Sequence, residues 1–308
     1  MKNLETTLGR ATFRNPVFGA SGCSGHGYEL VGYTDLTKYG ALSLKTVTYH
    51  ARHGNPPERI VEVPSGIMSS VGLQNIGPDR YFKEIVPKAM ECLDADQILV
   101  SVAGDTMDEY VELCIRVAEE FRGKIQAVEV NTACPNASLG IGYFSRNAEA
   151  AQELIRRIKS STDLPLIYKF NTNFENYLEV GQAISEAGVD AIYTTNTPLG
   201  LKIDIKTRRP ALGNGIAPIN GPAIRPIGML RVWNLYKVVN VPLIASGGAA
   251  TWQDVIEYML AGAAAVGVGC SQFANPMVIP EIIDGLKAYM ERENINSLNE
   301  LVGAANSK

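Results

Sequence analysis

Residues 243–269 read LIASGGAATWQDVIEYMLAGAAAVGVG, and the order of residue types in this stretch decides the architecture. A short aliphatic run (243–246) meets the pair Gly247-Gly248. An amphipathic segment follows over 251–260, and a second apolar run (264–269) closes on Gly267-Val268-Gly269. Short apolar run, helical period, short apolar run is the pattern of a strand–helix–strand unit, in which the helix carries the chain back so that the strands lie parallel. The punctuation agrees. Thr251 is placed to cap the helix with its hydroxyl, Gly262 to end it, and Pro242 to precede a strand where its missing N–H does no harm.

The same unit recurs outward from this stretch. Strands are expected at 17–20, 41–45, 98–102, 127–131, 166–170, 191–195, 243–246 and 264–269, with helices including 108–121, 148–160, 177–187, 224–238 and 251–260. Eight strands alternating with helical regions predict an α/β fold, a (β/α)8 TIM barrel over residues 1–308 as one domain, with its active site at the carboxyl ends of the strands. Periodicity alone leaves an open doubly wound sheet as the alternative. The longest connections, 46–78, 132–146 and 197–222, all follow strand carboxyl ends, the face where barrels carry substrate walls and lids.

Composition narrows the function. With 46% hydrophobic and 19% charged residues the chain can build a sizeable core, and a formal charge of −4 provides no basic footprint for nucleic acid or for an anionic membrane. The amino terminus MKNLETTLGR has no apolar run resembling a signal peptide, and no stretch approaches the roughly 18 apolar residues of a membrane span. Five scattered cysteines without a C-x-x-C pair, and only His26, His50 and His53, argue against a disulfide framework, an iron–sulfur centre or a protein-held transition metal. These features predict a cytoplasmic enzyme acting on a small molecule.

The chemistry gathers at strand ends. Ser21, Lys45, Ser101, Asn131, Lys169, Asn196 and Ser246 all close apolar runs. Buried unpaired, such groups cost several kcal/mol each, so their common position predicts a polar pocket. Gly247-Gly248 and Gly267-Val268-Gly269 let backbone N–H groups approach an anion, with a helix amino terminus beyond Gly248 to favour it, so a phosphate-bearing ligand is expected there. Cys134, in the polar loop Asn131-Thr132-Ala133-Cys134-Pro135-Asn136, is placed to meet a ligand, whereas Cys92 and Cys114 sit in helical patterns and read as core. Lys45 and Lys169 can each set a fixed positive charge beside an anionic substrate or a reduced flavin.

Taken in order, Ala20-Ser21-Gly22, Lys45-Thr46, Arg52-His53-Gly54-Asn55-Pro56-Pro57, Pro64-Ser65-Gly66, Val71-Gly72-Leu73-Gln74-Asn75, Asn131 through Asn136, Ile203 through Pro210 and Gly221-Pro222-Ala223-Ile224 resemble class 1 dihydroorotate dehydrogenase. The likeness runs from about Asn15 to Gly303. The stretch 203–210 and the ending Ser297-Leu298-Asn299-Glu300-Leu301-Val302-Gly303 look like the 1B catalytic subunit. The resemblance implies FMN, oxidation of dihydroorotate to orotate in pyrimidine biosynthesis, and Cys134 as the base taking the C5 proton while hydride leaves C6 for flavin N5. It implies substrate contacts from Lys45, Ser69, Val71, Gly72, Leu73, Asn131, Asn136, Asn196 and Thr197. FMN contacts are implied for Ser21, Lys45, Thr46, Ser101, Asn131, Lys169, Thr195, Gly221, Gly247, Gly248, Gly269 and Cys270. It also implies a partner subunit carrying FAD and a [2Fe-2S] centre that passes electrons to NAD, on a homodimer core of a heterotetramer.

Three positions depart from the family. Ser69 stands where a ring-binding asparagine is usual, Ser101 where the 1B type has asparagine, and Cys270 where a threonine flanks the phosphate. Ser69 bears on substrate choice, since a lost partner in a buried polar site costs on the order of 1–3 kcal/mol. It leaves open a paralogous FMN oxidoreductase acting on another cyclic amide or small unsaturated acid. From a different class, a flavin-free aldolase or isomerase would use Lys169 as a Schiff-base amine.

Overall fold

The computed structural model describes residues 2–133, 142–195 and 197–306. Eight strands form the barrel: β1 (Val17–Gly19), β2 (Ala41–Ser43), β3 (Ile98–Ala103), β4 (Ala127–Asn131), β5 (Leu166–Asn171), β6 (Ala191–Thr195), β7 (Leu243–Ser246) and β8 (Ala263–Val268). Each pairs in parallel with the next, and β8 pairs in parallel with β1 (Val266 with Val17), so the sheet closes on itself. Closure removes the open doubly wound alternative. It also leaves no free edge to template aggregation.

The helices α1 (Met107–Phe121), α2 (Ala148–Ser161), α3 (Tyr177–Glu186), α4 (Arg225–Tyr236), α5 (Trp252–Ala261) and α6 (Val278–Arg292) include all five expected ones, with ends within two residues of expectation. Their inward faces follow the helical period. On α1, Tyr110, Leu113, Cys114, Val117, Ala118 and Phe121 are buried, and the Thr106 hydroxyl accepts from Glu109 N–H at the cap. Burial pushes the Cys114 thiol up to about 12, as fits a core cysteine. At α5, Thr251 caps as its sequence position predicts, and Gly262, at φ 123°, ends the helix. Among the described residues no helix is long and apolar enough to cross a membrane.

Two features are absent from the sequence reading. An antiparallel hairpin, Thr6–Leu8 with Ala11–Phe13, precedes β1, and its Leu8, Ala11 and Phe13 join the barrel's inner apolar cluster. Its turn is anchored by Asp190, whose carboxylate accepts from Arg10 N (2.8 Å), Arg10 Nε (2.9 Å), Arg10 Nη2 (2.8 Å) and Leu166 N (2.8 Å). Second, the connections 46–78 and 197–222 are not merely loops. Ile60–Val63, Gly66–Ser69, Ala217–Asn220 and Leu199–Gly200 form one antiparallel sheet, and its residues contribute to the cavity at the strand carboxyl ends. Strands of two to four residues carry too little alternation to be read locally.

Asp190 supplies a stability prediction. Burial alone would raise its carboxyl, but hydrogen bonds from Arg10 and Leu166 outweigh that and hold it below its ordinary value. A depressed folded pKa adds stability that is present above the unfolded value, about 4, and lost as pH falls through the folded one. Asp190→Asn is therefore expected to lower stability by about 2 kcal/mol at pH 7, with the deficit shrinking below about pH 4. Thermal melts of both proteins between pH 3 and 7 measure this; a deficit independent of pH would remove the ionic anchor.

Candidate active site

Successive strand residues face opposite ways, and this parity decides which side chains enter the barrel. On β4, Ala127 belongs to the inner apolar cluster while Val128 and Val130 pack outward with the helices, so Glu129 and Asn131 share the interior face of Ala127. The lowest interior layer is apolar, built from residues such as Ala41, Leu99, Ala127, Ile167, Ala191 and Ile244. Two residues further along the same strands the layer turns polar, with Ser43, Ser101, Glu129, Lys169, Tyr193 and Ser246.

Glu129 is the hub of that layer. It is fully buried, and its carboxylate accepts from Ser43 Oγ (2.8 Å), Ser101 Oγ (2.7 Å) and Lys169 Nζ (3.2 Å). An ionised carboxylate removed from water is stable only when its lone pairs are met, and here three strands supply the donors. Lys169 Nζ also lies 4.6 Å from the centre of the Tyr193 ring, a favourable cation–π distance.

Above this layer the hydroxyl of Thr46 forms a junction, 2.8 Å from Ser101 Oγ and 3.3 Å from Ser21 Oγ, and it accepts from Asn131 Nδ2 at 2.9 Å. A carboxylate can only accept, so the Ser101 proton points to Glu129 and the Thr46 proton to Ser101. Strand β2 stops at Ser43, and Val47–Thr48 resumes pairing with β3; in the gap the chain places Lys45 and Thr46 on the cavity. Expected as strand through 45, the segment breaks here, and Lys45 N–H donates to Gly25 O at 3.0 Å.

The opposite wall is backbone. Gly221, Gly247, Gly248, Gly267, Gly269 and Cys270 line it. A β-carbon at Gly267 would lie 1.8 Å from Tyr193 Oη, and one at Gly248 (φ 76°) 2.6 Å from Gly221 O, so any side chain would displace packed atoms. The amino terminus of α5 lies beyond this wall and carries its own cap. Ala250 and Thr251 N–H donate to Asp254 Oδ2 (2.8 and 2.9 Å), and Asp254 pairs with Arg225, so the protein's own carboxylate answers that helix end.

A third group surrounds Ser69, Val71, Gly72 and Leu73. Gly72 (φ 74°) and Leu73 (φ 53°) are consecutive left-handed residues, and a β-carbon at Gly72 would sit 2.5 Å from Asn55 Oδ1. Asn55 braces the turn, donating through Nδ2 to Ser70 Oγ (2.7 Å) and through its N–H to Val71 O (3.1 Å). A left-handed leucine that is nearly buried is strain held by its surroundings, as is common where backbone must meet a ligand.

One cavity therefore gathers Ser21, Lys45, Thr46, Ser69, Val71, Gly72, Leu73, Asn131, Lys169, Thr195, Thr197, Gly221, Gly247, Gly248, Gly269 and Cys270. Ser101 is the exception among described candidates. It is fully buried beneath the lining and acts on Glu129 and Thr46 rather than on the cavity itself. Cys134, Asn136 and Asn196 lie outside the described residues. Cys23, Tyr193 and Asn220, which also line the cavity, and Glu129 beneath it are not among the residues the sequence singles out. Glu129 had a signal: a charged residue in AVEVN, on the same parity as Asn131. Burial pushes the Cys23 thiol up to about 12 and that of Cys270 upward too, so both stay protonated near neutral pH.

The comparisons with known proteins meet this geometry along the whole chain. The family model for dihydroorotate dehydrogenase matches residues 3–290. The chain belongs to the dihydroorotate dehydrogenase family. A relative from Desulforamulus reducens, named dihydroorotate dehydrogenase B (NAD(+)), catalytic subunit, is 41% identical over 305 residues, covering 98% of both chains. One of the same name from Bacteroides thetaiotaomicron is 35% identical over 304 residues, covering 99% of both. A crystal structure of a DHODH from Eimeria tenella in complex with ferulenol superposes with a TM-score of 0.79 over 99% of this chain and 89% of its own. At 20% identity that likeness speaks for the barrel alone.

Proposed function

We propose that this member of the dihydroorotate dehydrogenase family oxidises dihydroorotate to orotate, with FMN bound in the barrel mouth. The observation that carries the reading is the single cavity that joins a side-chain-free glycine wall to Lys45, Asn131 and Lys169. A phosphate suits the glycine wall, where backbone replaces side chains; the amide and hydroxyl groups of the facing wall suit a polar ring. Among the described residues Tyr193 Oη is buried without a hydrogen-bond partner, as fits a polar group placed to meet a ligand. The residues present therefore fit FMN, with Ser21, Thr46, Lys169, Thr195, Gly221, Gly247, Gly248, Gly269 and Cys270 holding it and Ser101 fixing Thr46 from below.

FMN, when bound, supplies the hydride acceptor. The chain's own residues do the rest. Lys45, with the turn Val71-Gly72-Leu73, holds the substrate carboxylate, and Asn131, Asn136, Asn196 and Thr197 orient the ring. Cys134 takes the proton from C5. Lys169 keeps positive charge under the site, oriented by Glu129. The names of relatives at 34–41% identity favour dihydroorotate over another cyclic amide. The Schiff-base reading of Lys169 has nothing to support it, because its Nζ is held against a buried carboxylate.

The relatives' designation as a catalytic subunit supports a separate electron-accepting partner. We assign to it FAD and a [2Fe-2S] centre reducing NAD, on a homodimer of this chain in the cytoplasm. Anaerobic rapid mixing of the purified chain with dihydroorotate tests the core of this reading. Saturable bleaching of the flavin absorbance is expected without any partner; a yellow protein that stays oxidised would overturn the substrate.

A further inference from the structure

Ser69 departs from the family at a ring-binding position, yet it does not leave a hole. Across the antiparallel pair Gly66–Ser69 and Ala217–Asn220, Asn220 Nδ2 donates to Ser69 Oγ at 3.1 Å and to Pro218 O at 3.2 Å. Both Ser69 and Asn220 line the cavity. The register that brings them together is fixed by contact too close for side chains. A β-carbon at Gly66 would lie 1.9 Å from Asn220 O, and one at Gly221 2.3 Å from Ser65 O.

The amide orientation is decided by chemistry. Pro218 O can only accept, so it must face the NH2 end of Asn220 rather than Oδ1. Both donations leave from Nδ2, and among the described residues Oδ1 has no partner. Ser69 Oγ in turn accepts from Asn220, which frees its own proton for another acceptor. The pair therefore offers one acceptor, Asn220 Oδ1, and one donor, Ser69 O–H. A single asparagine side chain offers the same two functions.

We propose that Asn220 is a substrate-contacting residue, and that Asn220 and Ser69 together form the donor–acceptor pair that reads an amide edge of the pyrimidine ring. The amide that the family carries on one strand of the small sheet is supplied here from its neighbour. This rests on the dihydroorotate reading above, and it assigns to the Ser69 departure a compensated exchange of position rather than a change of substrate.

The test uses the FMN-loaded chain, its Asn220→Ser and Ser69→Asn variants, and the exchange double variant Ser69→Asn/Asn220→Ser. Orotate binding is read from the perturbation of the flavin spectrum, and FMN content and melting temperature are followed beside it. Asn220→Ser is expected to weaken orotate binding about tenfold and raise KM for dihydroorotate in proportion, with kcat changing less and FMN content unchanged. The exchange variant, with its amide back on position 69, is expected to recover binding to within about threefold of the parent. Parent-like orotate affinity in Asn220→Ser would overturn the proposal while leaving the dihydroorotate reading intact. An exchange variant that folds, holds FMN and binds no better than Asn220→Ser would overturn the compensation. A parent that neither binds orotate nor is bleached by dihydroorotate would overturn both readings together.

Discussion

Cys134→Ser is expected to hold FMN as the parent does and to be reduced by dihydroorotate about 10²–10⁴ times more slowly, the usual worth of a positioned general base. Cys134 itself lies outside the described residues, but Asn131 and Ala133 just before it line the cavity, and the Asn131 side chain is tied to Thr46 and to Ala133 N–H. A thiol ionises near pH 8.5 in water, within reach of neutral pH when its surroundings help, whereas a serine hydroxyl does not. The parent's reduction rate should therefore climb with pH as the thiol ionises, and the variant should lose that rise. Cys23 and Cys270 cannot substitute, since burial raises both thiols. Anaerobic rapid-mixing traces from pH 6 to 10 decide it; parent-like rates in the variant would remove Cys134 from the proton transfer.

Removing the lysine beneath the site should damage the fold as well as the chemistry. Lys169→Met leaves Glu129 fully buried with only the hydroxyls of Ser43 and Ser101 to answer its charge. Breaking one side of a buried ion pair costs about 3–5 kcal/mol, because the remaining charge is uncompensated. The melting temperature is accordingly expected to fall by roughly 5–8 °C. The double variant Lys169→Met/Glu129→Gln carries no charge at either position and should regain most of that loss. It should still fail to be reduced at the parent's rate, because the cation is gone. Calorimetry and flavin bleaching on the three proteins separate the two roles. A Lys169→Met protein melting within about a degree of the parent would show that the pair contributes nothing to stability.

Cavity-lining residues are legible in the sequence where a residue type is unusual for its position. Lys169 and Asn131 stand out at the ends of aliphatic strands, and paired glycines stand out after β7 and β8. They are not legible where a residue looks ordinary or where its partner is distant in the chain. Tyr193 reads as one more aromatic in a strand, and its contacts with Lys169 and Gly267 show that it lies inside the barrel. The Ser101 position was expected to touch the cofactor. Three-dimensional packing puts it one layer deeper, where its shorter side chain reaches Glu129. At the α5 amino terminus the capping box adds Asp254, three residues into the helix, as a partner for Thr251 N–H that the residue pattern alone does not announce.

What the sequence determined by itself was the alternation of strands and helices, their ends to within a few residues, and the family pattern carried by ordered short motifs. These are local properties: side-chain period, capping hydroxyls and glycine or proline punctuation act over a few residues, and each can be read in place. Tertiary structure alone decided that the sheet closes, that the hairpin at 6–13 joins the barrel core, and that the segments 60–69 and 199–220 meet as one sheet at the cavity. Those contacts join residues as much as 258 positions apart, as Thr6 Oγ1 does in donating to Ala264 O. Their stability comes from burial and from hydrogen bonds that exist only once the barrel has formed, so no local pattern announces them.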